Sequence, residues 1–363
     1  MSGLYIHIPF CRTKCIYCDF YSMPPRMDMG QYVDALLAEF SARREEVPAP
    51  FSTVYVGGGT PSVLPVDELL RLIRGVVPDP ASIEEFTVEA NPDDITPDWC
   101  GAVKAAGVSR VSLGVQSFVD AELEAVGRRH SAADALRAID TIRQAGVEEI
   151  SIDLIYGLPG QTMDSWSHSL DVAMSAGVPH LSAYTLTYEP GTRLYARRQA
   201  GKIIEATDDT IEAMYVMLVE RTRRNGYCHY EISNFALPGH HARHNSSYWA
   251  GIPYLGIGAA AHSFDGRCRR WNPRSLKEYM AAPVAAFEVE EPDGNTLYND
   301  AVMTALRTSH GIQTDIFNGA ELRLIERYVS RGMMEYTSDG RCRIAEKHWL
   351  VSDSIISDLF RVD

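Results

Sequence analysis

Three cysteines near the N-terminus are the residues whose types and spacing most clearly predict chemistry. Cys11, Cys15 and Cys18 form a C-x3-C-x2-C pattern within YIHIPFCRTKCIYCDF, directly after an alternating apolar segment that predicts a strand. Thiolates favour soft metals, but a structural zinc site uses four ligands, and no second cysteine pair follows at zinc-finger spacing. A [4Fe–4S] cluster usually takes four cysteines, so three predict a cluster with one iron left open for another molecule. A redox pair of Cys15 and Cys18, or three unconnected thiols, are the alternatives.

The chain up to about residue 187 alternates predicted strands with predicted helices. Short apolar runs at 4–8 and 53–56 are followed by amphipathic segments at 31–45 and 66–76, and the pattern continues through a strand at 180–187. Such alternation predicts a parallel sheet with right-handed crossovers, and about six strand–helix units can wrap into a partial barrel. In this kind of fold the chemistry lies beyond the carboxyl ends of the strands, so ligand-binding motifs are expected where the predicted strands end.

Several predicted strands end in residues that can bind a ligand. The second is followed by Gly57-Gly58-Gly59-Thr60-Pro61, whose glycines allow backbone N–H groups to approach a ligand closely. Glu89 ends the third strand and Gln116 the fourth, and Arg128 follows in Gly-Arg-Arg-His. Asp153 lies inside an apolar run, where a carboxylate without a partner is costly. A plain turn and solvated loop charges are the alternative interpretations.

Together, the cysteine loop and these strand-end motifs resemble the radical S-adenosylmethionine (SAM) superfamily, in the branch related to oxygen-independent coproporphyrinogen III oxidase. The resemblance implies an α/β fold, a partial (β/α)6 radical SAM barrel over residues 1–236. It also implies a [4Fe–4S] cluster on Cys11, Cys15 and Cys18, with SAM bound at the open iron. In that superfamily an electron from the cluster cleaves a carbon–sulfur bond of SAM and gives a 5′-deoxyadenosyl radical.

The resemblance further implies which residues hold SAM. The positions that match the family motifs are Tyr5, Tyr17, Gly58, Gly59, Thr60, Glu89, Gln116, Arg128 and Asp153. The aromatic ring before the last cysteine packs near the adenine, carboxylates accept from ribose hydroxyls or the amino group, and the arginine pairs with the SAM carboxylate. No side chain is predicted to be catalytic, because the cofactors carry the chemistry. An electron donor such as flavodoxin or ferredoxin is an implied partner.

Bulk properties are those of a globular protein. The 363 residues are 45% hydrophobic and 23% charged, which predicts one large domain plus a smaller appendage. We expect a cytoplasmic protein, because the sequence has neither a run of about 18 apolar residues nor a signal peptide. The formal net charge of −14 argues against nucleic acid as a partner. The sequence leaves open whether the chain forms a homodimer or contacts a membrane peripherally.

The region 237–363 departs from the strand–helix alternation. Two helices, a hairpin at 333–336 and 342–344 with a Ser-Asp-Gly turn, and a last helix predict a C-terminal α+β winged-helix-like module. Winged helices often bind DNA, but the acidic balance opposes that here. We expect the module to close the open side of the barrel.

The segment His244-Asn245-Ser246-Ser247-Tyr248-Trp249 resembles the HNxxYW motif of radical SAM haem chaperones. A neutral histidine can be an axial haem ligand, and Tyr248 and Trp249 offer flat apolar faces for a porphyrin. The alternative is a hydrogen-bonded core histidine beside aromatic rings. His262 and the other histidines are rival ligands.

Three functions follow as hypotheses. The prediction is a haem chaperone that binds haem as cargo and delivers it to haemoproteins, with the cluster and SAM serving regulation or transfer. The second hypothesis is an oxygen-independent coproporphyrinogen III oxidase that forms protoporphyrinogen IX. Two features oppose this hypothesis. Cys18 is followed by Asp19-Phe20, whereas the oxidase carries a further cysteine two residues after the last cysteine of the triplet. The N-terminal segment before the first strand is also shorter than in the oxidase. The third, an interaction protein with a vestigial site, is opposed by the intact motifs. Whether SAM is cleaved in function stays open.

Overall fold

The computed structural model describes residues 2–25 and 27–362, and its centre is a sheet whose first six strands in chain order are parallel. These strands are β1 (Ser2–Ile8), β2 (Phe51–Gly58), β3 (Glu85–Ala90), β4 (Arg110–Gln116), β5 (Glu149–Tyr156) and β6 (His180–Thr185). The helices between them are α1 (Met29–Arg43), α2 (Val66–Val76), α3 (Pro97–Ala105), α4 (Asp120–Ala125), α5 (Ala132–Gln144) and α6 (Met163–Ser175). The predicted strand–helix alternation and α/β class are confirmed.

The chain after β6 adds elements to both edges of the sheet. They are α7 (Arg193–Gln199), α8 (Asp208–Arg224), β7 (Cys228–Glu231), β8 (Asn234–Ala236), α9 (Arg243–Trp249), β9 (Tyr254–Ile257), β10 (His262–Phe264), β11 (Arg269–Trp271), α10 (Leu276–Ala281) and β12 (Glu288–Glu290). The strand order is β12-β11-β10-β9-β1-β2-β3-β4-β5-β6-β8-β7, so the sheet has two edges and stays a partial barrel. β9 pairs in parallel with β1 although it lies beyond residue 236. The division at residue 236 stays a prediction, and the main sheet continues past it.

The C-terminal elements form a second, smaller layer. They are α11 (Gly294–Ala305), β13 (Ile312–Gln313), α12 (Gly319–Ser330), β14 (Met334–Tyr336), β15 (Arg341–Ile344) and α13 (Ser352–Ser357). β13, β15 and β14 make an antiparallel sheet that packs with these helices, as the winged-helix-like prediction requires. The module is joined to the main sheet near β7, because Ile232 N–H donates to Arg307 O over 3.0 Å and Ser309 N–H donates to Tyr230 O over 2.9 Å.

Several helices begin where the sequence supplies a capping residue. Ser131 and Asp134 form a reciprocal capping box at the start of α5, and Asn318 and Glu321 form another at the start of α12. Each cap satisfies backbone N–H groups that have no partner inside the helix, which is worth about 1 kcal/mol. Within the described residues, no helix is both long and apolar enough to cross a bilayer.

Residues along the parallel strands alternate between two faces, and this alternation creates the space for a site. The outer face is apolar and buried beneath the helices, with Leu4, Ile6, Val54, Val56, Val88, Leu113, Ile152 and Leu181. Each such side chain stabilises the fold by about 2 kcal/mol. The inner face is mostly polar, with Tyr5, His7, Thr53, Tyr55, Glu89, Ser112, Asp153 and Ser182. A barrel whose interior is lined this way can receive a polar ligand.

Candidate cofactor site

The cysteine loop connects β1 to α1 and is fixed by backbone hydrogen bonds. Cys11 N–H donates to Met23 O over 3.0 Å, which closes the loop on itself. Ile16 N–H donates to Val126 O over 3.1 Å, and Leu194 N–H donates to Ile16 O over 2.8 Å. The loop is therefore tied both to the segment after α4 and to the start of α7, at the carboxyl end of the parallel strands.

The three thiols of this loop are free, with Cys11 buried and the other two half-buried. Burial is the largest cause that raises the pKa of Cys11, and it raises the pKa of Cys18 to about 11; the neighbouring Cys15 adds a smaller upward shift to both. Cys11 Sγ also lies 3.3 Å from Thr60 Oγ1. With a raised pKa, Cys11 and Cys18 stay protonated at neutral pH unless a bound metal holds them as thiolates.

A cluster fits this donor set better than a single ion does. Within residues 2–25 and 27–362, no group of three or more His, Cys, Asp or Glu side chains is arranged around one metal ion. In a [4Fe–4S] cluster each thiolate binds a different iron, so the sulfurs surround a cage instead of converging on one point. Three free thiols on one loop, with Cys15 close enough to raise the pKa of both Cys11 and Cys18, match that requirement.

The glycine run after β2 has a structural cause that the sequence interpretation did not identify. A Cβ on Gly57 would lie 2.6 Å from the Tyr55 ring and 2.9 Å from Glu89 Oε1. One on Gly58, whose φ is +114°, would lie 2.6 Å from the His7 ring, and one on Gly59 would lie 2.7 Å from Phe10 O. The space at all three positions is filled by the protein itself. Gly58 and Gly59 let β2 pack against the strand and loop that carry the cysteines, and Gly57 leaves room for Tyr55 and Glu89.

Glu89 is held in one orientation at the end of β3. Its Oε1 accepts a hydrogen bond of 2.7 Å from the Tyr55 hydroxyl, and its Oε2 accepts one of 3.0 Å from Gly58 N–H. Burial raises the pKa of Glu89, while these two hydrogen bonds lower it. The carboxylate is a fixed acceptor whose remaining lone pairs can receive a hydroxyl or an amino group.

Arg128 joins the cysteine loop to the ends of β3 and β4. Its Nη2 donates to Asn91 Oδ1 over 2.8 Å and to Gly114 O, and its Nη1 lies 3.5 Å from Cys15 Sγ. The Nε atom is buried and has no hydrogen-bond partner in the described structure. The guanidinium therefore stands beside a thiol and keeps its Nε–H unpaired for an anionic group, which suits a carboxylate ligand.

Asp153 and Gln116 complete the inner face near these groups. Burial, followed by the charge of Glu89, raises the pKa of Asp153 to about 7, while a hydrogen bond with Ser182 and the charge of Arg128 lower it. Gln116 has a left-handed backbone with φ of +71° at an irregularity in the pairing of β4 with β5. That conformation is costly for a residue with a Cβ and is often found at functional sites.

The two predicted tyrosines lie at different depths. Tyr17 packs in a small apolar cluster with Ile16 on the loop itself, and burial raises the pKa of its hydroxyl. Tyr5 lies deeper on the inner face, where its hydroxyl is 3.0 Å from His7 Nδ1 and its ring stacks on Tyr55 at 6.1 Å. Tyr17 therefore lies on the loop that carries the thiols, whereas Tyr5 packs against Tyr55, the residue that holds Glu89.

His244 lies at the opposite end of the strands from the cysteine loop. Its ring is 1% exposed, its Nδ1 is 2.9 Å from Thr53 Oγ1, and its Nε2 is 2.8 Å from the Tyr248 hydroxyl. Its backbone N–H donates to Glu85 Oε1 over 3.0 Å, at the start of β3. Burial lowers the pKa of His244 to about 3, so the ring is neutral. In this conformation neither ring nitrogen is free to ligate iron.

Sequence reasoning missed two residues of the site. Asn91, which holds Arg128, follows Glu89 by two positions and has no predicted role. Tyr55, which holds Glu89, was counted only as a strand residue. Strand alternation was the available signal for Tyr55, because Tyr5 and Tyr55 pair in register and face the same side.

Thiols, a cation and oriented carboxylates at the carboxyl end of a parallel sheet define the kind of site that radical SAM proteins use. A family model described as the Radical SAM superfamily matches residues 5–173 of the chain. Among solved structures, coproporphyrinogen III oxidase (HemN) from Escherichia coli is similar with a TM-score of 0.83 and 22% identity, covering 99% of this chain and 90% of that one. This likeness shows the fold.

The sequence relatives define the family more narrowly. The chain is 35% identical to heme chaperone HemW of Mycobacterium tuberculosis, covering 98% of this chain and 94% of the relative. It is 38% identical to heme chaperone HemW of Bacillus subtilis, covering 77% of this chain and 75% of the relative. The chain belongs to the HemW family of radical SAM proteins.

Proposed function

We propose that this protein binds haem and delivers it to haemoproteins, with a [4Fe–4S] cluster and SAM at the site described above. The observation that carries the proposal is the 35% identity to a protein named heme chaperone over 98% of the chain. Haem is the cargo, haemoproteins are the acceptors, and a one-electron donor such as flavodoxin or ferredoxin is the redox partner. The division at residue 236 and a cytoplasmic location stay predictions.

The cofactors are assigned to residues by the chemistry of their side chains. Cys11, Cys15 and Cys18 would hold the cluster. When bound, the cluster supplies single electrons to SAM. Arg128 offers its free donor to the SAM carboxylate, since its other contacts already fix the guanidinium beside Cys15.

The remaining side chains would orient the rest of SAM. Glu89 presents a carboxylate whose direction is set by two hydrogen bonds. Asp153, with a pKa near neutrality, can accept from a hydroxyl when ionised or share a proton when not. Backbone atoms of Gly58, Gly59 and Thr60 and the side chains of Gln116, Tyr5 and Tyr17 would complete the contacts, as the family motifs imply.

His244 stays the proposed haem ligand, and the geometry adds a condition. Iron can reach Nε2 only if the hydrogen bond with Tyr248 is broken, because that bond occupies the nitrogen. The ring is also buried between β1, β2 and α9, so haem ligation requires α9 to move. We therefore expect haem binding to be accompanied by a rearrangement at this end of the barrel.

Oxidase activity is the competing function, because the fold is shared with coproporphyrinogen III oxidase. The discriminating assay is anaerobic, with reconstituted protein, SAM, a reductant and coproporphyrinogen III. We expect no protoporphyrinogen IX from a sample whose cluster content has been measured. Product formed in proportion to 5′-deoxyadenosine would overturn the chaperone proposal.

A further inference from the structure

We infer that Tyr55 is a positioning residue for the SAM site and that the His244–Tyr248 pair at the far end of the barrel holds Tyr55 in place. One column of contacts would then connect the HNxxYW segment with the carboxylate Glu89. This inference deepens the proposed function and rests on its assignment of Glu89 to SAM. It also gives haem, if it binds at His244, a physical route to the SAM site.

The upper half of the column consists of Tyr55, Glu89 and Gly57. The Tyr55 hydroxyl donates to Glu89 Oε1 over 2.7 Å, while Gly58 N–H takes the other oxygen, so each carboxylate oxygen has one defined donor. Gly57 lies beneath this pair and has no room for a Cβ, since one would lie 2.6 Å from Tyr55 and 2.9 Å from Glu89. The packing therefore fixes the Tyr55–Glu89 hydrogen bond. A water molecule in place of the Tyr55 hydroxyl would not hold the Glu89 carboxylate in the same orientation.

The lower half of the column consists of His244 and its partners. The His244 ring stacks on Tyr55 with centroids 5.1 Å apart and planes 27° apart. Thr53 and Tyr248 hydrogen-bond to the two ring nitrogens, at 2.9 Å and 2.8 Å. The ring also lies over Gly3, where a Cβ would be 3.2 Å from His244 Cε1. Hydrogen bonds to both nitrogens and the close contact with Gly3 fix the position of the His244 imidazole. The Tyr55 ring packs directly against this fixed imidazole.

Coupling follows because the two ends share this single tyrosine. An event that moves His244, such as iron ligation at Nε2, removes the ring that packs against Tyr55. The Tyr55 hydroxyl is then less firmly placed to orient Glu89. The coupling is reciprocal. If the movement of His244 weakens SAM binding at Glu89, bound SAM weakens haem binding at His244 by the same free energy. Haem at His244 and SAM at Glu89 would then weaken each other's binding.

The decisive variant is Tyr55→Phe, which removes one hydroxyl and keeps the ring on His244. Reconstituted protein is titrated with SAM and followed by the electron paramagnetic resonance signal of the reduced cluster. We expect SAM affinity to fall about tenfold, the loss typical of one hydrogen bond to a charged group, with unchanged iron content and haem affinity. A crystal structure of the cluster-free variant should show the Glu89 carboxylate turned away from the ring at position 55, because only Gly58 N–H still holds it.

Tyr230→Phe is the matched control. Its hydroxyl is 2.7 Å from His180 Nε2 and accepts from Ala242 N–H, so it belongs to the same closed end but does not touch Glu89 or Tyr55. We expect this variant to lose stability and keep wild-type SAM affinity. His244→Gln should lower SAM affinity as Tyr55→Phe does, although it lies far from the thiols.

The outcomes separate this inference from the proposed function. SAM affinity within twofold of wild type in Tyr55→Phe would overturn the positioning role, and an equal loss in Tyr230→Phe would show a general packing effect and overturn it too. Wild-type SAM affinity in folded His244→Gln would overturn the link to the far end. Failure of the wild-type protein to bind haem would instead refute the proposed function and leave the Tyr55 result standing.

Discussion

The Nη1 atom of Arg128 lies 3.5 Å from the sulfur of Cys15, so a cation from the segment between α4 and α5 stands directly beside a predicted cluster ligand. The same guanidinium is fixed by Asn91 and by the carbonyl of Gly114. One side chain would thereby bring together the proposed cluster site and a group that can bind a carboxylate. The SAM assignment predicts that this side chain matters for SAM and not for the cluster.

Arg128→Lys should separate these two roles. Lysine keeps the charge but cannot make several directed contacts at once, so we expect SAM affinity to fall roughly tenfold to a hundredfold. Iron and sulfide content should stay at the wild-type level. Arg129→Lys is the control, because Arg129 pairs with Asp93 at the surface. Equal SAM affinity in the two variants would contradict the role of Arg128.

Replacement of a loop cysteine should remove the cluster. Each of the three thiols is expected to bind one iron, so Cys15→Ser should leave less than about a tenth of the wild-type iron and sulfide after anaerobic reconstitution. The control is Cys228→Ser, which removes an exposed thiol outside the loop. The assignment fails if Cys15→Ser retains a full cluster, or if Cys228→Ser loses it.

Glu231 should make stability depend on pH. The side chain is 1% exposed, its Oε2 has no hydrogen-bond partner among residues 2–25 and 27–362, and burial raises its pKa to about 7. The folded chain holds this proton at pH values where the unfolded chain has lost it, so the stabilisation is complete below the ordinary glutamate pKa and is lost as pH rises through about 7. The full effect on the free energy of unfolding is roughly 3 kcal/mol.

Thermal midpoints of wild type and Glu231→Gln, measured from pH 4.5 to pH 8, test this expectation. Glutamine keeps the shape and cannot ionise, so the difference between the two midpoints should shift by several degrees in favour of the variant as pH rises. Other titrating groups contribute equally to both proteins and cancel. A difference that is constant with pH would show that Glu231 does not titrate in this range.

Tyr248→Phe tests the haem assignment at the other end of the barrel. Removing the hydroxyl frees Nε2 of His244 from its hydrogen bond, so haem affinity should rise about fivefold, the value of one neutral hydrogen bond. His244→Ala should lose haem binding and the Soret band of an imidazole complex. Wild-type haem affinity in a folded His244→Ala protein would exclude His244 and direct attention to the other histidines.

The parallel strands could be predicted from the sequence, because in each one apolar and polar residues alternate strictly or the outward-facing residues are all apolar. The strand predicted at 53–56 is Phe51–Gly58 in the structure, since the sheet continues into small and polar residues that carry no apolar signal. β9 to β12 were not predicted as part of this sheet, because such short strands are defined by pairing with β1 and with one another.

The part of the candidate site that lies on the parallel strands or directly after them could be predicted from the sequence. Glu89 and Asp153 could be placed on one face from strand alternation alone. The contact of Arg128 with Cys15 could not, because it joins residues 113 positions apart in the chain. The position of His244 at the amino ends of the strands also had no local signal. It depends on the docking of α9 against Thr53 and Glu85.

Haem transfer is the most direct test of the proposed function. The anaerobically reconstituted protein is loaded with one equivalent of haem and mixed with an apo-haemoprotein, and the acceptor's absorbance spectrum is followed. We predict that the acceptor becomes haem-loaded in a reaction whose rate rises with acceptor concentration, which indicates direct transfer. A rate that equals spontaneous haem release and does not change with acceptor concentration would contradict a chaperone function.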